Sequence, residues 1–184
     1  MLGSGFTVAL IVIIVAVLLI REHASTLQAA KRSTTNITQL INADVLRNVE
    51  LYDLALQGLI AATQRTDLSK VSGDIRHLVQ FELSTAAPFK DQVLLLDANG
   101  AVVADSSTLK PTSRNLADRD YFLVHKITNQ NDLFISRPFM IQCHCEQVWR
   151  IAFSRRVTGA NGEFLGVAVA TMRLAYFDQL FNSL

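Results

Sequence analysis

The hydrophobic period of this chain changes at Pro88. From Ala24 to Ser84 apolar residues recur every three or four positions. Beyond Pro88 they alternate, or run in short blocks between turn residues. The first spacing is that of a helix and the second that of a strand. A helical half followed by a stranded half predicts an α+β fold with helices laid on one side of an antiparallel sheet.

The helical half has two parts ahead of the sheet. Leu2 to Ile20 carries no charge, and Phe6 to Ile20 is almost wholly aliphatic. A membrane-crossing helix takes about 17–25 residues, so an uncleaved anchor is expected over 1–21. A cleaved signal peptide would need a basic start and a small-x-small site, and neither is present around Arg21-Glu22-His23. Arg21, Lys31 and Arg32 follow the segment and no basic residue precedes it. Taken alone, that asymmetry would place the downstream part in the cytoplasm.

Ala24 to Thr63 predicts one long helix, with Leu27, Ile37, Ile41, Val45, Val49, Tyr52, Leu56 and Leu59 on its apolar side. At ~1.5 Å per residue it would reach roughly 60 Å. Its first half, with Thr34, Thr35, Asn36 and Thr38, is polar and suits a stalk or a pairing surface for a second copy. Asp67 to Ser84 predicts a second helix, and the two helices together occupy 24–85.

The stranded half, 88–184, opens with Gln92–Leu96 and Ala101–Ala104 around Asp97-Ala98-Asn99-Gly100, a strong hairpin signal. Asp105–Asn115 reads as a loop. A short helix then opens in Asn115-Leu116-Ala117-Asp118-Arg119-Asp120-Tyr121-Phe122, with Asn115 or Asp118 able to cap it. Leu133–Phe139 predicts a third strand and Met140–Gln147 a loop holding Cys143, His144 and Cys145. Val148–Val157 and Phe164–Leu174 complete five strands, and Ala175–Leu184 begins a helix.

Several functions are disfavoured. Seventeen basic residues against 16 acidic ones, with no basic block, give no reason to expect nucleic acid. Cys143-His144-Cys145 offers at most three adjacent ligands and no other cysteine exists, so a variable loop is expected there and not a metal site. His23, His77, His125 and His144 are scattered. The glycines from Gly159 to Gly166 link two strands without the Lys and helix start of a phosphate loop. Asp118 and Asp120 point apart on a helix. No nucleophile, base and orienting group can be put together, so neither an enzyme nor a cofactor is expected.

What remains is a set of arginines: Arg114, Arg119, Arg137, Arg150, Arg155, Arg156 and Arg173. A guanidinium suits a carboxylate because its planar fork gives two parallel hydrogen bonds. Arg119 could equally pair with Asp118 or Asp120, and the others could be solvated or structural. Strand alternation puts Arg150, Ala152, Ser154 and Arg156 on one face of their strand and Trp149, Ile151, Phe153 and Arg155 on the other. On the last strand Val167, Val169, Thr171 and Arg173 oppose Gly166, Ala168, Ala170 and Met172. The small face leaves room for a ligand or for a close-packed helix. Trp149 could serve core or cage.

The segments Asp118-Arg-Asp-Tyr-Phe122, Leu133-Phe-Ile-Ser-Arg-Pro138, Trp149-x-Ile-Ala-Phe-Ser-Arg-Arg156 and Gly162-Glu-Phe-Leu-Gly-Val-Ala-Val169, with Tyr176-Phe177, resemble the double Cache sensor domains of bacterial membrane receptors. These are extracytoplasmic relatives of the PAS fold. The likeness covers nearly the whole chain and is greatest to regions found ahead of GGDEF diguanylate cyclase domains. It implies a lobe in the periplasm on an inner-membrane anchor, against the charge asymmetry, and a homodimer through the long helix. It implies a small ligand, an organic acid or amino acid, between the sheet and the Arg-x-aromatic-aromatic motif. Arg119 would grip its carboxylate and Tyr121 would shape the pocket. The candidate ligand-binding residues are Arg119, Tyr121, Phe122, Ser136, Trp149, Ser154 and Thr171. In amino-acid-binding members an Asp stands where Thr171 is and a Tyr where Arg114 is, which leaves an organic acid or another small anion as the expectation. The second lobe and output domain of such receptors are expected elsewhere in a longer parent, or in a chemoreceptor or histidine kinase. A ligand-free dimerisation module is the other alternative.

Overall fold

The computed structural model describes residues 2–65, 72–81, 90–143 and 146–182, and the side chains of 2–31 lie outside that description. The chain divides into two compact units, Met1–Asp44 and Val45–Leu184. The first is helical throughout: α1 runs Leu2–Thr63 and supplies all of its described backbone. No proline interrupts that range, and α1 starts well before the expected Ala24. No helix among the described residues is long and apolar enough to cross a membrane. The side chains of the expected anchor fall outside those residues.

The second unit holds the sheet. The element α2 covers Gly73–Phe81, inside the expected Asp67–Ser84 span, whose ends fall on 66–71 and 82–89 outside the described residues. Then come β1 (Lys90–Asp97), β2 (Val102–Asp105), α3 (Asp120–Ile127), β3 (Phe134–Ile135), β4 (Phe139–Cys143), β5 (Glu146–Thr158), β6 (Phe164–Arg173) and α4 (Ala175–Asn182).

All pairings are antiparallel, in the order β2-β1-β6-β5-β3, with β4 also on β5. Among the described residues six strands therefore stand where five were expected. The extra one arises because the predicted strand Leu133–Phe139 is split. Pro138 has no N–H to give to a ladder, so β3 stops and β4 restarts beyond it on the same edge of β5. The predicted loop over Met140–Gln147 is also corrected. Strand pairing continues from Phe139↔Arg150 down to Cys143↔Glu146, so Cys143 ends a strand. His144 and Cys145 lie outside the described residues.

Helices cover both faces of the sheet, not one. Val93-Leu94-Leu95-Leu96 is apolar at every position, the pattern of a strand buried on both sides. On one face Val93, Phe153, Ala168, Ala170 and Met172 pack with Tyr52, Leu56 and Leu59 of α1, Phe81 of α2 and Tyr176 of α4. The rings of Tyr52 and Phe153 stack at 4.5 Å. The small residues Ala168 and Ala170 thus make room for a helix, which resolves the choice left by the sequence. Arg155 of the same face donates two hydrogen bonds to Asp53 of α1. On the other face Leu94, Leu96, Val167, Val169 and Ala152 pack with Tyr121 and Phe122 of α3.

Candidate functional site

The segment ahead of α3 is pinned to the β1–β2 turn by its backbone. Val102 N–H donates to Arg114 O at 3.0 Å, and Leu116 N–H to Gly100 O at 2.8 Å. Gly100, at φ +83°, is required there because Ala117 lies 2.6 Å from where a Cβ would stand. Asn115 fastens the same corner. Its Oδ1 accepts from Ala117 N–H at 2.9 Å and its Nδ2 donates to Asn99 O at 3.0 Å.

Neither Asn115 nor Asp118 caps the helix. The residue at the cap position is Arg119, without a side-chain cap hydrogen bond. Asn115 is already used by the corner and stands too early in the chain. Asp120 instead bonds its own helix start, accepting from Tyr121 N–H at 2.7 Å. The Arg119 side chain is consequently left at the helix mouth, where exposed amide groups favour anions. It meets Asp118 at 3.9 Å, with that carboxylate 79% exposed, and its guanidinium lies 6.0 Å from the Phe139 ring centre. An ion pair that exposed holds Arg119 only weakly.

Phe122 and Tyr121 anchor α3 below. Phe122 is fully buried, edge-on to Phe164 at 5.7 Å. Tyr121 packs against Phe139. Burial pushes the Tyr121 hydroxyl up to about 12, although Arg119 pulls the other way. It is therefore protonated at neutral pH and can donate a hydrogen bond.

Arg119 and Tyr121 form one wall of a cavity of about 260 Å³ between α3 and the sheet. The opposite wall is Gln92 and Leu94 of β1, Thr171 of β6 and Arg150 of β5, with Arg114, Phe139 and Ile141 at the sides. Arg119, Tyr121 and Phe139 also face an adjoining space of about 230 Å³. Three guanidinium groups, two from the segment ahead of α3 and one from β5, thus converge on one cavity.

Two carboxylates stand just behind its wall. Asp91 bonds Arg150 and Arg173 at 2.8 Å each, and the Thr171 hydroxyl lies 3.4 Å from it. Asp105 accepts from Gln92 Nε2 at 2.7 Å and from both Ser107 N–H and its hydroxyl, while Arg114 lies 3.8 Å off.

Of the residues singled out from sequence, Arg119, Tyr121 and Thr171 line this cavity, and Phe122, Ser136, Trp149 and Ser154 do not. Phe122 is core. The Ser136 hydroxyl accepts from Ala152 N–H and donates to Arg137 O, both at 2.9 Å, which steadies the β3–β4 junction. Trp149 is 52% exposed and shares the Ile151 and Phe153 face of β5, away from α3. Ser154 is wholly buried under α3, hydrogen bonded to His125 Nε2 at 3.0 Å. Burial holds His125 below its ordinary value, partly offset by Ser154, and Arg156 lowers it further. Arg156 ties down the far end of α3 by donating to the carbonyls of His125 and Thr128.

Gln92, Arg114 and Arg150 were not among the nominated site residues. Arg114 and Arg150 stood out only as members of a long arginine list, and Gln92 carried no signal short of its pairing with Thr171. A larger cavity of about 580 Å³, beside the end of α1 and the β5–β6 turn, has no cationic lining residue. A further one of about 330 Å³ contains Arg155 and Arg156, both committed to structural bonds.

No protein-family model matches the chain, and no curated protein matches it. Solved structures do. The extracellular domain of rpHK1S-Z16, classed as a histidine kinase, is 26% identical, with a TM-score of 0.52 over 80% of this chain and 55% of that one. The ligand-binding domain of the Pseudomonas aeruginosa amino acid chemoreceptor PctC, in complex with GABA, is 20% identical, with a TM-score of 0.57 over 79% of this chain and 62% of that one. A domain of a Vibrio parahaemolyticus sensory box/GGDEF family protein is 12% identical, with a TM-score of 0.50 over 79% and 63% of the two chains. The chain spans little more than half the length of these structures. It shares the PAS-like α+β fold of extracellular ligand-binding sensor domains.

Proposed function

We propose that the chain is the periplasmic sensor region of a Cache-type signal-transduction receptor, anchored in the membrane by residues 1–21. A small carboxylate-bearing molecule binds in the cavity between β1, β6 and the start of α3. The observation that carries this reading is the convergence of Arg119 and Arg114, from the segment ahead of α3, and Arg150, from β5, on one cavity roofed by Tyr121. Arg119 takes the carboxylate with its half-exposed fork, and the Tyr121 hydroxyl donates to it.

Binding orders the Arg114–Tyr121 segment against the sheet. The sheet is joined to α1 by Arg155–Asp53 and by the Tyr52–Phe153 stack. A ligand that prefers one arrangement of α3 and sheet therefore biases α1 by its difference in affinity, and α1 leads toward the membrane and toward a second copy.

The output we propose is a diguanylate cyclase, on the resemblance of the motifs. A histidine kinase is the second reading, favoured by the 26% identity to rpHK1S-Z16. The reading frame around this sequence distinguishes a GGDEF domain from a kinase domain. Ligand sensing is tested by thermal denaturation of the full chain in mild detergent against organic acids and amino acids. At least one should raise the melting temperature, and Arg119→Ala should abolish that rise. A panel without any rise overturns the sensor reading.

A further inference from the structure

We infer that the cavity takes a dianion, a small dicarboxylate, in preference to a zwitterionic amino acid. This rests on the sensor reading above and adds to it the charge of the ligand.

The lining is cationic without a counter-charge of its own. Arg114, Arg119 and Arg150 reach it, and no lining residue is a carboxylate. Two of the carboxylates around it are sequestered, while the exposed Asp118 and Asp120 line the adjoining space outside it. Asp91 is 6% exposed and held between Arg150 and Arg173, and Asp105 is 2% exposed and satisfied by Gln92 and Ser107. An ammonium group entering here would give up its water and meet guanidinium groups, with only neutral oxygens of Gln92, Thr171 and Tyr121 to accept from it. Desolvating a charge without a partner is costly.

A second carboxylate meets the opposite situation. Arg150 is buried at 8% and engaged with Asp91. Arg114 and Arg119 are 41% and 44% exposed, and their nearest anions lie 3.8 and 3.9 Å away, beyond a good charge-assisted bond. Two long cationic side chains, five residues apart on one segment, are thus available at one mouth, one for each end of the ligand. Leu94, Leu116, Phe139 and Ile141 supply apolar wall for the short chain between the two charges. The volume, about 260 Å³, falls below the usual ~300–1,000 Å³ of drug-sized sites and limits the ligand to a few carbons.

The test uses acids of equal length that differ only at the far end: succinate carries a carboxylate there, butyrate a methyl group and GABA an ammonium. Calorimetric titration of the full chain in mild detergent at neutral pH compares them, with malate, glutarate, common amino acids and inorganic phosphate alongside. At least one dicarboxylate should bind about tenfold or more tighter than butyrate, GABA and phosphate. Arg114→Gln should erase that preference and leave butyrate binding within about threefold. Arg114→Lys, which keeps the charge and loses the fork, should restore part of it, and circular dichroism confirms that both variants fold. If GABA, another amino acid or phosphate binds as tightly as the dicarboxylates, or Arg114→Gln leaves the preference intact, the dianion inference is overturned while the sensor reading stands. If no acid of any charge binds, the sensor reading falls with it.

Discussion

Arg150 and Asp91 meet at 2.8 Å behind the cavity, with their side chains 8% and 6% exposed. The pair spans from β5 to β1 across β6, and Arg173 of β6 holds the same carboxylate at 2.8 Å. A cationic pocket built on a buried ion pair couples its shape to the stability of the sheet. Removing one partner of such a pair leaves a buried charge uncompensated, at about 3–5 kcal/mol. Asp91→Ala should destabilise by that order, Arg150→Met by less because Arg173 still holds Asp91, and the double variant by clearly less than the sum. Urea denaturation of the four proteins in the cycle measures the coupling, and strict additivity would refute it.

Arg119 carries no comparable structural duty. It is half-exposed and faces an exposed carboxylate. Arg119→Ala should therefore change the unfolding free energy by no more than about 0.5 kcal/mol. Its effect should fall on ligand-induced stabilisation alone, and a large loss of basal stability would return it to the scaffold.

His125 gives the fold a pH dependence of known sign. Burial lowers its folded value below the ordinary 6.5. As pH falls through 6.5, the unfolded chain takes up a proton that the folded chain refuses, so stability drops from there down to the folded value. His125→Gln should flatten that part of the curve relative to the parent chain, measured as melting temperature across mildly acidic to neutral pH. Equal slopes in the two proteins would exclude His125 as the cause.

Gly166 adopts φ +152°, and a Cβ built there would stand 1.9 Å from the carbonyl oxygen of Leu96. The neighbour is strand backbone and cannot swing aside. Gly166→Ala should cost about 3 kcal/mol or more, combining backbone strain with a steric clash. A variant unfolding at the parent's urea midpoint would show that β1 and β6 can part there.

Much of this architecture is legible in the sequence because its causes are local. The hairpin at Asp97–Gly100 needs only its own residues: Asp97 Oδ1 accepts from the amides of Asn99 and Ala101, both at 2.9 Å, and Gly100 takes the positive φ. The two faces of β5 and β6 follow from alternation alone. The β4–β5 hairpin is harder to read, since β4 exists only because β5 continues far enough to pair with it, and the cysteines draw attention to a loop. The second helical layer is hidden in Val93–Leu96, whose unbroken apolar run reports burial on both faces and does not say by what.

The candidate site divides in the same way. Arg119 and Tyr121 are visible because charge and aromatic character coincide at a helix start. Ser154 lies on the same sheet face as Thr171, as parity requires, but the His125 turn of α3 covers it and not the cavity. Trp149 is placed by parity on the wrong face. Gln92 and Arg150 come to the site only through pairing across β6, information that no single segment contains.

Pro138 has a consequence beyond the strand it divides. It sits in the outer rim of the sheet, where a missing N–H breaks the row of donors that another molecule's strand would need. At the opposite rim β2 has only four residues. Among the described residues neither border offers a long run of open backbone, which disfavours edge-to-edge growth into larger aggregates.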